Sequence, residues 1–269
     1  MVLVRFAIAG AGGRMGRALV VAAGASPGLQ IGALLEHAGS ALVGRDGAEI
    51  GKAASGVVIR SDVAAALGGC QVFIDFTRPE GALIHLAACR AAKVNMVIGT
   101  TGFDEAGMRA IADAGNDIAI VFEANMSIGV YFATELVERA ARALHADYDI
   151  EVLEAHHNKK VDAPSGTALM LGEAAARGVG KPLNEVAVYD RHGVTGERTR
   201  GAIGFASLRA GDIVGDHTVF FAGTGERIEI RHVATSRSNF ANGAMAAAKF
   251  LAEKHVGLFD MRDVLGLRG

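Results

Sequence analysis

Residues 154–168, EAHHNKKVDAPSGTA, put two imidazoles (His156 and His157), two amines (Lys159 and Lys160) and the carboxylate of Asp162 within seven positions. Imidazoles exchange protons near neutral pH, and a lysine amine supplies charge or a proton depending on its surroundings. Pro164-Ser165-Gly166-Thr167 then reads as the start of a helix, whose first-turn N–H groups can hold a carboxylate. Three chemistries are open to this segment: a metal centre, a solvated charged loop, or a site for an anionic substrate. Adjacent histidines without Cys or a His-x-x-x-His spacing are a poor zinc set, and two lysines repel a cation, so no metal is expected. The third reading accounts for the order of the residues. At a strand end, His156 and His157 point to different places and so have different tasks. Two cationic centres beside a helix terminus suit a small substrate carrying two carboxylates.

A second chemistry is written at the start of the chain. RFAIAG (5–10) runs directly into GAGGRMG (10–16) and then into a helical pattern. The spacing is G-x-x-G-x-x-G, on Gly10, Gly13 and Gly16, because position 15 is Met. Such a loop is either a tight strand-to-helix turn or a cradle in which backbone closely approaches a pyrophosphate. Glu36 favours the cradle: it ends the next apolar run, 20 residues beyond Gly16, where an acid accepts from the adenosine ribose hydroxyls. A nicotinamide dinucleotide is the expected cofactor. His37 follows Glu36 and is either an exposed loop residue or a nucleotide contact; Arg14 and Arg17 are nearby cations. Two later strand ends, Gly99-Thr100-Thr101-Gly102 and Glu123-Ala124-Asn125-Met126-Ser127, share the position where ligands meet parallel sheets.

The elements that must position these groups fall into two textures. RFAIAG, QIGALLE (30–36), VFIDF (72–76), NMVIGT (95–100) and IAIVFEA (118–124) read as strands separated by alanine-rich helices. That alternation predicts a parallel sheet covered on both faces. After Asn125 a helix from about Ser127 to His145 leads into YDIEVLEAH, and past the helix beginning near Ser165 come AIGFASLRAG, HTVFFAG and ERIEIRHVAT. These predict a second, sheet-rich α+β unit, and FANGAMAAAKFLAEK is again helical. The composition, 51% hydrophobic with net charge -2, is that of a globular protein without a nucleic-acid surface. Cys70 and Cys89 read as buried thiols. Neither a signal peptide nor a membrane span is expected, which suits a cytoplasmic protein.

GAGGRMGR, DFTRPEG, GTTGFDEAG, EAHHNKKVDAPSGTA, TGERTRGAIGF, RAGDIVGDHT and FANGA, in this order, closely resemble the 4-hydroxy-tetrahydrodipicolinate (dihydrodipicolinate) reductase family, over essentially the whole chain. The resemblance implies an oxidoreductase of the diaminopimelate route to lysine. Such an enzyme transfers hydride from NADH or NADPH to a cyclic dicarboxylate imine, giving tetrahydrodipicolinate. It implies His156 as proton donor or acceptor and Lys160 as second proton donor, with His157, Gly166 and Thr167 on the substrate. Gly10, Ala11, Gly12, Gly13, Arg14, Met15, Glu36, His37, Gly99, Thr100, Thr101, Glu123, Ala124, Asn125 and Met126 match the family's cofactor positions. It further implies a homotetramer of α/β subunits. Each has a Rossmann-type parallel-sheet domain over 1–126 plus 237–269, and a substrate-binding and oligomerisation domain on a mixed sheet over 127–236. His37 stands where the family often has Arg, and Glu123 and Met126 stand where a small residue and Phe are frequent. Another two-domain nicotinamide dehydrogenase and a dinucleotide-binding redox sensor are the competing classes. A sensor has no use for His156 and Lys160 beside a helix terminus.

Overall fold

Near-continuous apolar runs become buried strands, and the alanine-rich stretches between them become helices, in a computed structural model that describes residues 3–236 and 238–268. The chain opens with β1 (Val4–Ala9), α1 (Arg14–Gly24), β2 (Leu29–Leu35), β3 (Ile59–Arg60) and α2 (Val63–Leu67). It continues through β4 (Val72–Asp75), α3 (Pro79–Ala92), β5 (Asn95–Ile98), α4 (Glu105–Ala114) and β6 (Ala119–Phe122). Next come α5 (Ile128–Leu144), β7 (Asp149–His156), α6 (Gly166–Val179), α7 (Leu183–Val186), β8 (Ala187–Val188) and β9 (Ile203–Arg209). β10 (Gly215–Ala222), β11 (Arg227–Ala234), α8 (Ser238–Leu251), β12 (Gly257–Phe259) and α9 (Met261–Val264) complete it. Two compact units result, Met1–Ile128 with Arg237–Gly269, and Gly129–Ser236. The boundary expected at 237 lies outside the described residues. Among the described residues, no helix is long and apolar enough to cross a membrane.

The first unit is built on an all-parallel seven-stranded sheet ordered β12-β6-β5-β4-β1-β2-β3. β1 is buried along its length except at Arg5, and β4 is buried throughout, so helices must cover both faces. Because β1 lies between β2 and β4, the winding reverses there, and a crevice opens beyond the carboxyl ends of β1 and β4. Asp62 and Asp104 cap α2 and α4 by accepting from Ala65 and Gly107 N–H groups.

α8 packs on α1 and reaches the segment after β6. Gly243 makes that approach possible: a Cβ there would lie 1.6 Å from the Met126 carbonyl oxygen. Gly243→Ala is expected to destabilise the protein by about 1–3 kcal/mol, the usual range for forced overpacking. Urea unfolding checks this, and a loss below about 0.5 kcal/mol would show that the helix shifts freely.

The second unit carries a five-stranded mixed sheet ordered β11-β10-β7-β9-β8. β11, β10 and β7 run antiparallel, whereas β7, β9 and β8 pair in parallel. Its inner face contributes Ile150, Val152, Phe205, Val219 and Phe221 to a core shared with Val137 and Ala141 of α5 and Leu171 and Ala175 of α6. The opposite face presents Leu153, Leu208, Phe220 and Val233, with Leu208 and Val233 exposed.

The expected strands appear within a few residues of their predicted bounds. β3, β8 and β12 were not foreseen, because two or three residues are too few to show alternation.

Candidate active site

The glycine loop uses each glycine for a different reason. Gly10 has φ +61°, in the left-handed region that disfavours a side chain. Gly13 is the N-cap of α1 and supplies no side-chain cap, which leaves the helix's first amides free for an anion. At Gly16 a Cβ would sit 2.3 Å from the Gly10 carbonyl oxygen, so only glycine allows the helix to start this close to the strand. Glu36 lies just past β2, and its Oε1 accepts from the Gly12 N–H at 2.7 Å, which ties the acid to the loop. Arg17 turns its Nε to the Gly12 carbonyl oxygen (3.0 Å).

Two cavities flank this loop within the first unit. One of about 500 Å³ is lined by Gly10, Gly13, Arg14, Met15, Gly99, Thr101, Ala124 and Met126. The other, of about 880 Å³, is lined by Gly12, Glu36, His37 and Arg78 among others. Phe76 borders both, and its ring crosses Gly99 so closely that a Cβ there would lie 2.0 Å from it. Four of the expected cofactor residues line neither cavity. Ala11 is buried with its N–H on Leu35 O, and Thr100 is turned inward. Glu123 accepts from its neighbour Ala124 N–H, and Asn125 is buried and accepts from Ser127 N–H.

Thr100 is turned inward because the buried Asp75 carboxylate accepts from its hydroxyl (3.0 Å) and from the Thr77 N–H (2.8 Å) and hydroxyl (2.7 Å). His85 Nδ1 contacts its other oxygen at 2.5 Å. Asp75 therefore ties together the loops after β4 and β5 that line the cavities. Neither it nor Phe76 was singled out in the sequence.

In the second unit the mixed sheet assembles the residues. Cross-strand pairing aligns Ser207, Glu154, His217 and His232 in one row, and Arg209 with His156 two residues on, on the same face. Glu154 is 1% exposed. Its Oε2 accepts from His156 Nδ1 (2.6 Å) and Arg209 Nη1 (2.8 Å). Its Oε1 accepts from Arg209 Nη2 (2.8 Å) and the Ser165 N–H (3.2 Å). Burial alone would raise the Glu154 pKa, but hydrogen bonds from Arg209, His156 and Ser207 outweigh it and hold the carboxyl at about 2. The group is an ionised acceptor at neutral pH.

The His156 ring meets that of His217 edge-on, with centroids 5.1 Å apart. Burial, then the His156 and His232 imidazoles, push His217 down to about 4, so it is neutral at pH 7. Its Nε2 lies 3.0 Å from the hydroxyl of Ser165, which caps α6 by accepting from Ala168 N–H. Gly215 faces the other side of His156: a Cβ there would be 3.0 Å from Nε2.

Lys160 donates to both oxygens of Asp162 at 2.7 Å, and that contact holds the Asp162 carboxyl below its ordinary range. His157 is half-buried, and its Nδ1 has no hydrogen-bond partner among the described residues. Gly166 and Thr167 form the first turn of α6, with open space around Gly166. The structure thus places His156 at the end of β7, His157 and Lys160 in the loop that follows, and Gly166 and Thr167 at the start of α6, and it surrounds His156 and Ser165 with Glu154, Arg209, Gly215 and His217. Glu154 was within reach of sequence reasoning, since a residue two before His156 on a strand shares its face.

Comparison with known proteins adds an independent result. The family model described as Dihydrodipicolinate reductase, N-terminus, matches residues 4–126, and the one described as Dihydrodipicolinate reductase, C-terminus, matches residues 129–265. A curated 4-hydroxy-tetrahydrodipicolinate reductase of Nitrosospira multiformis is 56% identical over 268 residues, which covers 100% of each chain. The solved dipicolinate-bound dihydrodipicolinate reductase from Paenisporosarcina sp. TG-14 is similar with TM-score 0.76 and 24% identity, covering 97% of this chain and 98% of that one. A probable dehydrogenase from Thermotoga maritima shares the fold at TM-score 0.63 and 12% identity, over 97% and 92% of the two chains.

Proposed function

The chain belongs to the dihydrodipicolinate reductase family, and from that membership we propose how its own residues carry the family's reaction. It is a 4-hydroxy-tetrahydrodipicolinate reductase, an oxidoreductase that uses a pyridine nucleotide to reduce a cyclic dicarboxylate imine. The first unit is the dinucleotide-binding domain. The uncapped start of α1 and the cavities beside Glu36 and Gly99 fit a dinucleotide, with Gly10 to Met15 on the pyrophosphate. When bound, the nucleotide supplies the hydride.

The second unit binds substrate. Gly166 and Thr167 offer first-turn amides to one ring carboxylate, and His157 and Lys160 hold the other. Lys160 exchanges Asp162 for the substrate when it does so. His156 supplies the proton that must follow hydride into the unsaturated ring, and Lys160 is the second donor. The observation that carries this reading is the hydrogen bond from His156 Nδ1 to the ionised Glu154, which leaves Nε2 as the nitrogen able to give a proton. A coupled assay tests it: dihydrodipicolinate synthase generates the substrate from pyruvate and aspartate semialdehyde, and nucleotide oxidation is followed. No oxidation above the synthase-only control would overturn the reading.

The half-exposed outer face of the mixed sheet, with Leu153, Leu208, Phe220 and Val233, supports assembly into a homotetramer through this unit. The enzyme works in the cytoplasm, where a biosynthetic reductase meets its reduced nucleotide.

Both NADH and NADPH serve, with NADH equal or better. Glu36, His37 and Arg78 share one cavity, and the Glu36 carboxylate suits a free 2′-hydroxyl but repels a 2′-phosphate. His37→Arg is expected to improve kcat/KM with NADPH, because a guanidinium pairs with phosphate through two charge-assisted hydrogen bonds. The gain shrinks at high salt. A wild-type preference for NADPH beyond roughly tenfold, or about 1.4 kcal/mol, would sink this reading of Glu36 and His37.

A further inference from the structure

We propose that Glu154, held by Arg209, is the positioning residue of the site: it sets which nitrogen of His156 exchanges protons, and it joins that imidazole to the amino end of α6. This inference rests on His156 as proton donor. It adds a named cause for the donor's geometry.

The argument is one of donors and acceptors. An ionised carboxylate can only accept, so the His156 nitrogen 2.6 Å away must carry hydrogen. Nδ1 is thereby occupied, and the imidazolium can release a proton only from Nε2. Release leaves a neutral imidazole with hydrogen on Nδ1, the form that Glu154 stabilises. The groups facing His156 from neighbouring elements are Glu154 on its own strand, Arg209 on β9, and His217 with Gly215 on β10. Of these, only Glu154 is a hydrogen-bond acceptor on Nδ1. Gly215 keeps the Nε2 side clear of a side chain.

Arg209 adds the second half. Its two nitrogens meet the two Glu154 oxygens at 2.8 Å, and Nη2 also donates to the Asp162 carbonyl oxygen at 2.7 Å. The Ser165 N–H donates to Glu154 Oε1. A single buried carboxylate thus touches the imidazole, the strand opposite it, and the residue that caps the carboxylate-binding helix. One group sets the distance between proton donor and substrate anchor. That arrangement matters because a displacement of about 1 Å at a reacting group can cost about 10²-fold in rate.

Glu154→Gln gives a sharp test, since the same bonds dictate how the amide must lie. At the Oε1 position both Ser165 N–H and Arg209 Nη2 require an acceptor, so the Gln oxygen goes there. Its NH2 then faces both Arg209 Nη1, which keeps the Leu208 carbonyl oxygen as an acceptor at 2.6 Å, and His156 Nδ1, which must become an acceptor, so the neutral imidazole switches to hydrogen on Nε2. In 15N-histidine-labelled protein, two-bond 15N–1H correlation should show His156 as the Nδ1–H form in wild type and the Nε2–H form in Glu154→Gln. The kcat should fall by about 10²–10⁴-fold, the upper end being the loss seen when a triad carboxylate becomes an amide and the tautomer inverts. Substrate KM should change by less than about threefold, since an interaction made only in the transition state is what has gone. Glu154→Asp keeps the acceptor and loses a methylene, so it should retain the Nδ1–H form and exceed Glu154→Gln in kcat. A purely structural role predicts the reverse order, because Gln is the better isostere.

An Nε2–H tautomer in wild type overturns the proposal, and so does a Gln variant more active than the Asp variant. Should Glu154→Gln fail to fold, the wild-type tautomer and Glu154→Asp still decide it: an Nε2–H form in either overturns the proposal. If His156→Gln is crippled while Glu154→Gln keeps near-normal kcat, this proposal fails and the reading of His156 stands. If His156→Gln itself keeps near-normal kcat, the reading of His156 is what fails.

Discussion

His156→Gln is expected to lower kcat by about 10²–10⁴-fold, the range a positioned acid supplies. At 1.36 kcal/mol per decade, that is about 2.7–5.4 kcal/mol of lost transition-state stabilisation. Gln nearly preserves the volume of the imidazole, and its amide N–H can still donate to Glu154, so the fold and the substrate anchors on α6 should survive. What it lacks is a proton to give. The effect should therefore fall on kcat with only a modest change in KM, and nucleotide affinity should be unaltered because the glycine loop belongs to the other unit. Steady-state kinetics in the coupled assay, with nucleotide binding followed by fluorescence, checks each part. A variant with near-normal kcat would remove His156 from the acid role.

Arg209→Met should cost about 3–5 kcal/mol of stability at pH 7, the range seen when one partner of a buried ion pair is removed. The loss is large because Glu154 is 1% exposed and would be left charged with two of its donors gone. The pH dependence has a definite sign. The Glu154 carboxyl titrates at about 2 in the fold against 4.5 unperturbed. Its contribution is complete above about pH 4.5 and is lost as pH falls toward 2, an amount of about 3 kcal/mol by linkage. The gap between wild type and Arg209→Met should therefore narrow through that window. Urea unfolding at pH 7 and pH 3, at one fixed protomer concentration, measures both. A loss below about 1 kcal/mol at pH 7 would mean that Glu154 and Arg209 behave as a surface pair.

Much of this molecule could be read in the order of its residues. Gly10, Gly13 and Gly16 mark a strand-to-helix turn because only residues without Cβ fit there, a constraint within seven positions. The buried strands from β1 to β6 and the start of α6 at Ser165 are also local matters, of periodicity and capping. His156, His157 and Lys160 are neighbours in sequence, so their shared place in the fold followed from their spacing. Glu154 was in view too, but nothing in its neighbourhood showed whether it was solvated or buried.

That question was settled by register. Arg209 is 55 residues from Glu154, His217 is 52 from Ser165, and the site exists because β9, β7 and β10 pair in one alignment. A shift of one residue in either pairing would turn Arg209 or His217 to the other face of the sheet. Asp75 behaves in the same way, since its bond to Thr100 joins loops that follow different strands. Local sequence carries the period of a strand, but not which strand lies beside it. The chemical groups were therefore legible from order alone, whereas the buried carboxylate that directs His156 became visible only once the strands were side by side.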